Sequence, residues 1–162
     1  MVHLIVGNTG AGKTTYAQKL RSEQNAVVFS IDKWNKELFL PDRRKGDGLD
    51  WFLERITRSE TVIMDMIIQL EAAGADSILD LGFSRYNHRE KFRSFAAQNT
   101  FDLQLHYLDV PMAIRHSRVK RRNQEKGESF EFEVSQEELE FMEGWFEEPH
   151  QFELEKAIII EN

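Results

Sequence analysis

The sequence predicts an α/β fold, a parallel sheet between two layers of helices. Two observations predict it. Short apolar, β-branched runs alternate with segments carrying a helical apolar stripe, in the order β-α-β-α-β-α-β-α-β, and strands that alternate with helices pair in parallel. A glycine-rich turn, Gly7-Asn8-Thr9-Gly10-Ala11-Gly12-Lys13-Thr14, stands between the first such strand and the first helix, where ligand-binding loops of these sheets lie. The chain has 162 residues, 41% hydrophobic and 30% charged. That suits one domain over residues 1–162, since a chain of this size buries about 70% of its unfolded surface.

Each element follows from local pattern. Val2 to Val6 reads as a buried strand, and Lys13 to Glu23 as a helix with Tyr16, Ala17 and Leu20 on one face. Ala26 to Ile31 is a second strand, ending at Asp32. Pro41 to Gly48 is turn-rich. From Leu49 to Ala73, the positions Leu49, Phe52, Leu53, Ile56 and then Ile63, Met66, Ile67, Leu70 trace an amphipathic helix that Gly74 stops. Ser77 to Leu81 is a third strand. Asn87 with Glu90 predicts a capping box for the next helix. Phe101 to Leu108 alternates like a fourth strand, and Pro111 suits the first turn of a helix ending before Gly127. Ser135 with Glu138 predicts a second capping box, Pro149 closes that helix, and Ala157 to Ile160 is a last strand.

Composition excludes several chemistries. Cysteine is absent, which removes disulfides, thiolate metal sites and cysteine nucleophiles. No apolar run reaches the roughly 20 residues of a membrane helix, and the N-terminus lacks a basic leader, so a cytoplasmic protein is expected. The net charge of −7 is uneven: from Asn123 onward there are 13 Glu and 2 Lys. This acidic stretch reads as a solvated helix face interleaved with Phe130, Phe132, Leu139, Phe141, Met142, Trp145 and Phe146.

The Gly7–Thr14 segment fits G-x-x-x-x-G-K-[ST] at every position. Its glycines let backbone amides wrap around phosphate oxygens, and the helix N-terminus adds positive ends. Asn8, Thr9, Gly10, Ala11, Gly12, Lys13, Thr14 and Thr15 are therefore the candidate nucleotide-binding residues. Lys13 is expected on the β- and γ-phosphates and the Thr14 hydroxyl on Mg²⁺. A dinucleotide fingerprint starting at Gly10 fails, because position 15 is Thr.

Three aspartates close predicted strands. Asp80 is either a second Mg²⁺ ligand or a turn residue. Asp109 precedes Pro111 and reads as a helix-start residue. Asp32 is placed to accept the proton of an attacking hydroxyl, or else to cap the following helix. Trp34 lines an acceptor pocket or belongs to the core. Arg115, Arg118 and Arg122 share a helix face. They need an anion, which is either a nucleotide or the Glu-rich tail. One of Arg118, Arg121 and Arg122 is expected on phosphate. Arg43, Arg44 and Lys45 read as a solvated loop.

These residues together resemble the small phosphate-loop kinases of the polynucleotide kinase, chloramphenicol phosphotransferase and zeta-toxin group. The features that carry the resemblance are the loop Gly7–Thr15, Ser-Ile-Asp32, Leu-Asp80-Leu-Gly, the arginine helix Arg115–Arg122 and Phe146-Glu-Glu-Pro149. It implies the fold of the P-loop-containing nucleoside triphosphate hydrolases: a three-layer α/β/α sandwich with strand order 2-3-1-4-5. It also implies ATP and Mg²⁺ as cofactors, and phosphoryl transfer to a hydroxyl. Asp32 would be the base, a lid over about 111–134 would bring Arg118 or Arg122 to the phosphates, and residues 146–149 would lie on the adenine side. The expected partner is a small hydroxyl-bearing substrate. An ATPase or nucleotide-dependent regulator without an acceptor is the first alternative. A nucleic-acid 5′-hydroxyl kinase, which the overall charge does not favour, is the second.

Overall fold

The structure, a computed structural model, describes residues 1–126 and 133–161. Five strands, β1 (Val2–Val6), β2 (Ala26–Ser30), β3 (Asp76–Asp80), β4 (Leu103–Asp109) and β5 (Ile158–Glu161), form one sheet in the order β2-β3-β1-β4-β5. Every pair is parallel. This is the order that the resemblance implies. β1 sits at the centre, with Leu4 in register with Leu79 and Leu105. Both faces of β1 are covered, so all five of its residues are buried, four of them apolar and the fifth His3.

The helices are α1 (Lys13–Glu23), α2 (Ile31–Trp34), α3 (Leu49–Ala72), α4 (Tyr86–Gln98), α5 (Met112–Glu125), α6 (Gln136–Trp145) and α7 (Gln151–Leu154). Alternate strand residues feed two cores. On one face Leu4, Val6, Phe29 and Leu105 pack with Ile63 and Ile67 of α3 and Phe92 of α4. On the other, Ile5, Ile78 and Leu108 pack with Ala17 and Leu20 of α1. A small third cluster, Val119, Val134 and Leu139, joins α5 to α6. The carboxyl ends of β1, β2 and β3 thus share an edge, and the glycine-rich loop leaves from its middle.

Three local expectations differ from what forms. β2 stops at Ser30, and Asp32 stands inside α2, not at a strand end. The chain then tightens through a π-helical turn, Asn35–Phe39, and a 3₁₀ turn, Leu40–Asp42. Trp34 packs against Phe29 at 6.1 Å and belongs to the core. The capping box at Asn87 does not form. The cap position is Arg85, and the Tyr86 N–H donates to Glu147 Oε2 at 2.6 Å. A carboxylate from far along the chain thus occupies the positive helix end, and Asn87 falls inside the first turn. The box at Ser135 forms as expected: the Glu138 N–H donates to Ser135 Oγ at 3.1 Å, and the Ser135 N–H donates to Glu138 Oε2 at 2.8 Å. Gly74, at φ +72°, follows α3. Part of the expected lid, 127–132, lies outside the described residues.

Candidate functional site

The loop after β1 takes its shape from two glycines in the left-handed region. Gly12, at φ +96°, caps α1. Gly10 has φ +81°, and a Cβ there would lie 2.5 Å from the Arg115 carbonyl oxygen. Glycine at position 10 therefore lets α5 lie directly on the loop. Asn8 is buried behind the loop. Its Oδ1 accepts from the Thr9 N–H at 2.7 Å, and its Nδ2 donates to Glu143 Oε2 at 3.1 Å. It braces the loop and does not line the cleft.

Residues Thr9 to Thr15 line a cleft of about 870 Å³. Asp32, Arg118, Arg121 and Arg122 line the same cleft. Lys13 Nζ donates to Gly7 O at 2.9 Å and to Asn8 O at 3.3 Å. Burial pulls its ammonium below the usual lysine range, Asp80 and Asp32 hold it up, and Arg122 and Arg115 push it down further. Asp32 is exposed, yet its charge reaches Lys13.

Thr14 Oγ1 donates to Asp80 Oδ2 at 2.8 Å. Asp80, at 7% exposure, closes β3. Burial raises its carboxyl above the usual range, opposed by Lys13 and by the Thr14 hydrogen bond. A buried carboxylate beside a hydroxyl is an oxygen donor pair suited to a hard cation such as Mg²⁺. Asp109 ends β4, exposed and outside the cleft lining.

The arginines of α5 divide. Arg115 is buried and serves the scaffold: both Nη atoms donate to Glu143, Nε donates to Val110 O at 2.9 Å, and Nη1 donates to Thr9 O at 3.2 Å. The acidic tail is thus the anion for this one. Arg118 Nη1 donates to Ala11 O at 3.3 Å. Arg122 has its Nε buried with no hydrogen-bond partner. Arg121 pairs loosely with Glu125 at 3.9 Å. Arg43, Arg44 and Lys45 are exposed.

Two hubs escaped the sequence reading. Glu143 joins Asn8, Arg115 and His116, and Arg115 holds its carboxyl below the usual range. Arg89 is fully buried. Its Nε and Nη2 donate to Glu153 at 2.8 and 3.0 Å, and its remaining donors reach the carbonyls of Phe83, Glu147 and Glu148. Residues 146–149 therefore pack on the loop after β3 and do not line the cleft. Arg89 shares a helix face with Phe92 and Ala96, and a charge on an apolar stripe is the signal that marks it.

A polar chain also runs behind α1. The Tyr16 hydroxyl lies 2.8 Å from His106 Nδ1, and His106 Nε2 lies 3.0 Å from His3 Nδ1. Burial, aided by His3, pushes His106 down to about 4, and burial lowers His3 as well.

Comparison with solved structures returns the same architecture. Kti12 of Chaetomium thermophilum, in complex with ADP-AlF3, superposes with a TM-score of 0.71 at 14% identity, covering 99% of this chain and 89% of that one. A gluconokinase from Sinorhizobium meliloti gives 0.63 at 12%, covering 99% and 81%. The Mycobacterium tuberculosis APS kinase CysC, bound to AMPPNP and APS, gives 0.55 at 18%, covering 81% and 75%. No curated protein matches the sequence. These likenesses show the fold, that of the P-loop-containing nucleoside triphosphate hydrolases. Residues 2–149 match the AAA domain family, and the chain belongs to it.

Proposed function

We propose that this protein is an ATP- and Mg²⁺-dependent phosphotransferase that moves the γ-phosphoryl group to a hydroxyl of a small acceptor. One observation carries the reading. Lys13, Thr14, Asp32 and three α5 arginines, Arg118, Arg121 and Arg122, line a single cleft above the carboxyl edge of the sheet, and Asp80 stands behind it, hydrogen-bonded to Thr14. The loop amides and Lys13 bind the phosphates. Thr14 and Asp80 would hold Mg²⁺, which would supply charge neutralisation. Lys13 reaches a triphosphate by exchanging the Gly7 and Asn8 carbonyls for phosphate oxygens.

In the reaction the acceptor oxygen bonds to the γ-phosphorus as the bond to the β–γ bridging oxygen breaks. ADP leaves, and the hydroxyl proton passes to the Asp32 carboxylate. Arg118 and Arg122, both on α5, hold the charge on the transferred group. Positioning and electrostatics supply the acceleration.

The test is thermal unfolding with ATP, GTP and ADP, each with and without Mg²⁺. A ligand at 100 times its Kd adds about 2.7 kcal/mol, or roughly 5–10 °C for a domain of this size. Lys13→Ala should abolish the rise, and an undiminished rise would refute the site. Asp32→Asn should keep the rise and slow transfer by about 10²–10⁴-fold. ATP turnover with no dependence on any alcohol, unchanged in Asp32→Asn, would instead mark an ATPase.

A further inference from the structure

The cleft has two ends. Ile160 of β5 and Lys19 of α1 line one; Asp32 and Ser84, which follow β2 and β3, line the other. α6 runs from α5, where Leu139 packs on Val119, to the second end, where the Trp145 carbonyl accepts from Arg85, the residue after Ser84. Phe141 and Met142 of α6 also line the cleft.

Phe141 is 52% exposed, although α6 has buried its apolar side through Leu139. Its ring stacks on Trp145 at 5.7 Å and 21°. The other partner of Trp145 is Arg85, whose guanidinium lies 4.7 Å from the indole centroid. Arg85 is fixed in turn, by Glu147 at 2.8 Å and by the Trp145 carbonyl at 3.2 Å. Trp145 thus contacts both Arg85 and Phe141, and Phe141 lines the cleft. A ring held in place from behind loses little freedom when a second ring lies on it.

Charge narrows the ligand. The cations lining the cleft belong to the phosphate loop, α1 and α5: Lys13, Lys19, Arg118, Arg121 and Arg122. Glu138, one turn before Phe141 on α6, also lines the cleft, and Asp32 lines its second end, while Arg85 is spent on Trp145 and Glu147. A phosphorylated acceptor or a nucleic-acid strand would meet carboxylates there.

We infer that Phe141 is the platform for the acceptor's ring, and that the acceptor is an uncharged alcohol bearing a planar ring. This rests on the phosphotransferase reading. The experiment is calorimetric titration of the full chain, with its nucleotide site saturated by Mg²⁺ and a non-hydrolysable ATP analogue. The probes are uridine, 2-phenylethanol, glycerol and a 5′-hydroxyl oligodeoxynucleotide. The first two separate a nucleoside from an aryl alcohol. At least one of them should bind more tightly than glycerol. Phe141→Ala should weaken it roughly 5- to 150-fold, as loss of an aromatic stack does, and Phe141→Tyr should restore it.

Binding of neither ring-bearing probe above glycerol would overturn the inference, as would equal affinity in Phe141→Ala. Salt-dependent, Phe141-dependent binding of the oligonucleotide in preference to both would overturn it in favour of a strand. A Phe141→Ala loss of affinity for the ATP analogue itself would assign the ring to the nucleotide base and overturn it too. The phosphotransferase reading fails separately, through an undiminished Mg-ATP shift in Lys13→Ala. Phe141-dependent ring binding with no ADP released when ATP replaces the analogue would support the platform and sink only that reading.

Discussion

At the scale of single residues, the site depends on atoms that leave no room for substitution. Gly10 combines a left-handed backbone with a 2.5 Å limit set by the Arg115 carbonyl. Gly10→Ala should destabilise the fold by about 1–3 kcal/mol and lift α5 off the loop. Thermal unfolding and nucleotide titration together check this, and native Tm with native affinity would contradict it. The phosphate loop was legible in the sequence because its chemistry depends on backbone shape, and backbone shape needs glycine at fixed spacing. Asp32 was legible as a candidate but not in its setting, because Ser30 and Ile31 carry no mark that the strand ends there and a helix begins. Glu143 was invisible. Nothing local separates it from the other glutamates of α6, and its partners Asn8 and Arg115 lie 135 and 28 positions away.

At the scale of elements, side chains from outside each helix set how it docks. Among the described residues the α5–α6 pair closes on a cluster of three buried side chains, so the Arg115–Glu143 contact carries much of the arrangement. Glu143→Ala would leave a buried guanidinium with two carbonyl partners only. The expected cost is about 3–5 kcal/mol, together with weaker nucleotide binding because Asn8 loses its brace. Glu143→Gln keeps the shape and should cost less. Equal Tm values for the two variants would show that packing, not charge, holds the pair. The α6 start is a simpler case. Ser135→Ala removes a complete capping box and should cost about 1 kcal/mol, read as a shift of the urea midpoint at constant m-value. That box was readable because both of its partners lie within one turn. The α4 start was not, because its carboxylate comes from Glu147.

At the scale of the whole molecule, the sheet holds two histidines that must stay neutral. His3 is 3% exposed and His106 is 2% exposed. They face each other between β1 and β4, with Tyr16 beyond His106 and Asp76 3.6 Å beyond His3. The native His106 titrates near 4 and an unfolded one near 6.5. Above pH 6.5 both states are neutral and full stability is present. As pH falls from 6.5 toward 4 only the unfolded state gains the proton, so stability drops, by about 3 kcal/mol from this group. His3 is shifted in the same direction. Glu60, Glu143 and Glu153 are held low, so their contribution fades only below the ordinary carboxylate range. Tm measured against pH should therefore fall between 6.5 and 4.5, and His106→Gln should flatten that limb. An unchanged slope in the variant would place the pH sensitivity elsewhere.

The buried Arg89 bears on the order in which the chain can be completed during synthesis. Four of its five bonds go to residues 147 to 153, and the cap of its helix comes from Glu147. Until that stretch leaves the ribosome, an arginine with four unmet donors cannot enter the core beside Phe83. The nascent chain can pair β1 with β3 and β4 early, but it holds α4 off the sheet until residue 153 has emerged. A truncated product that stops at α6 would thus carry a complete phosphate loop beside an α4 whose buried arginine has lost four of its five bonds.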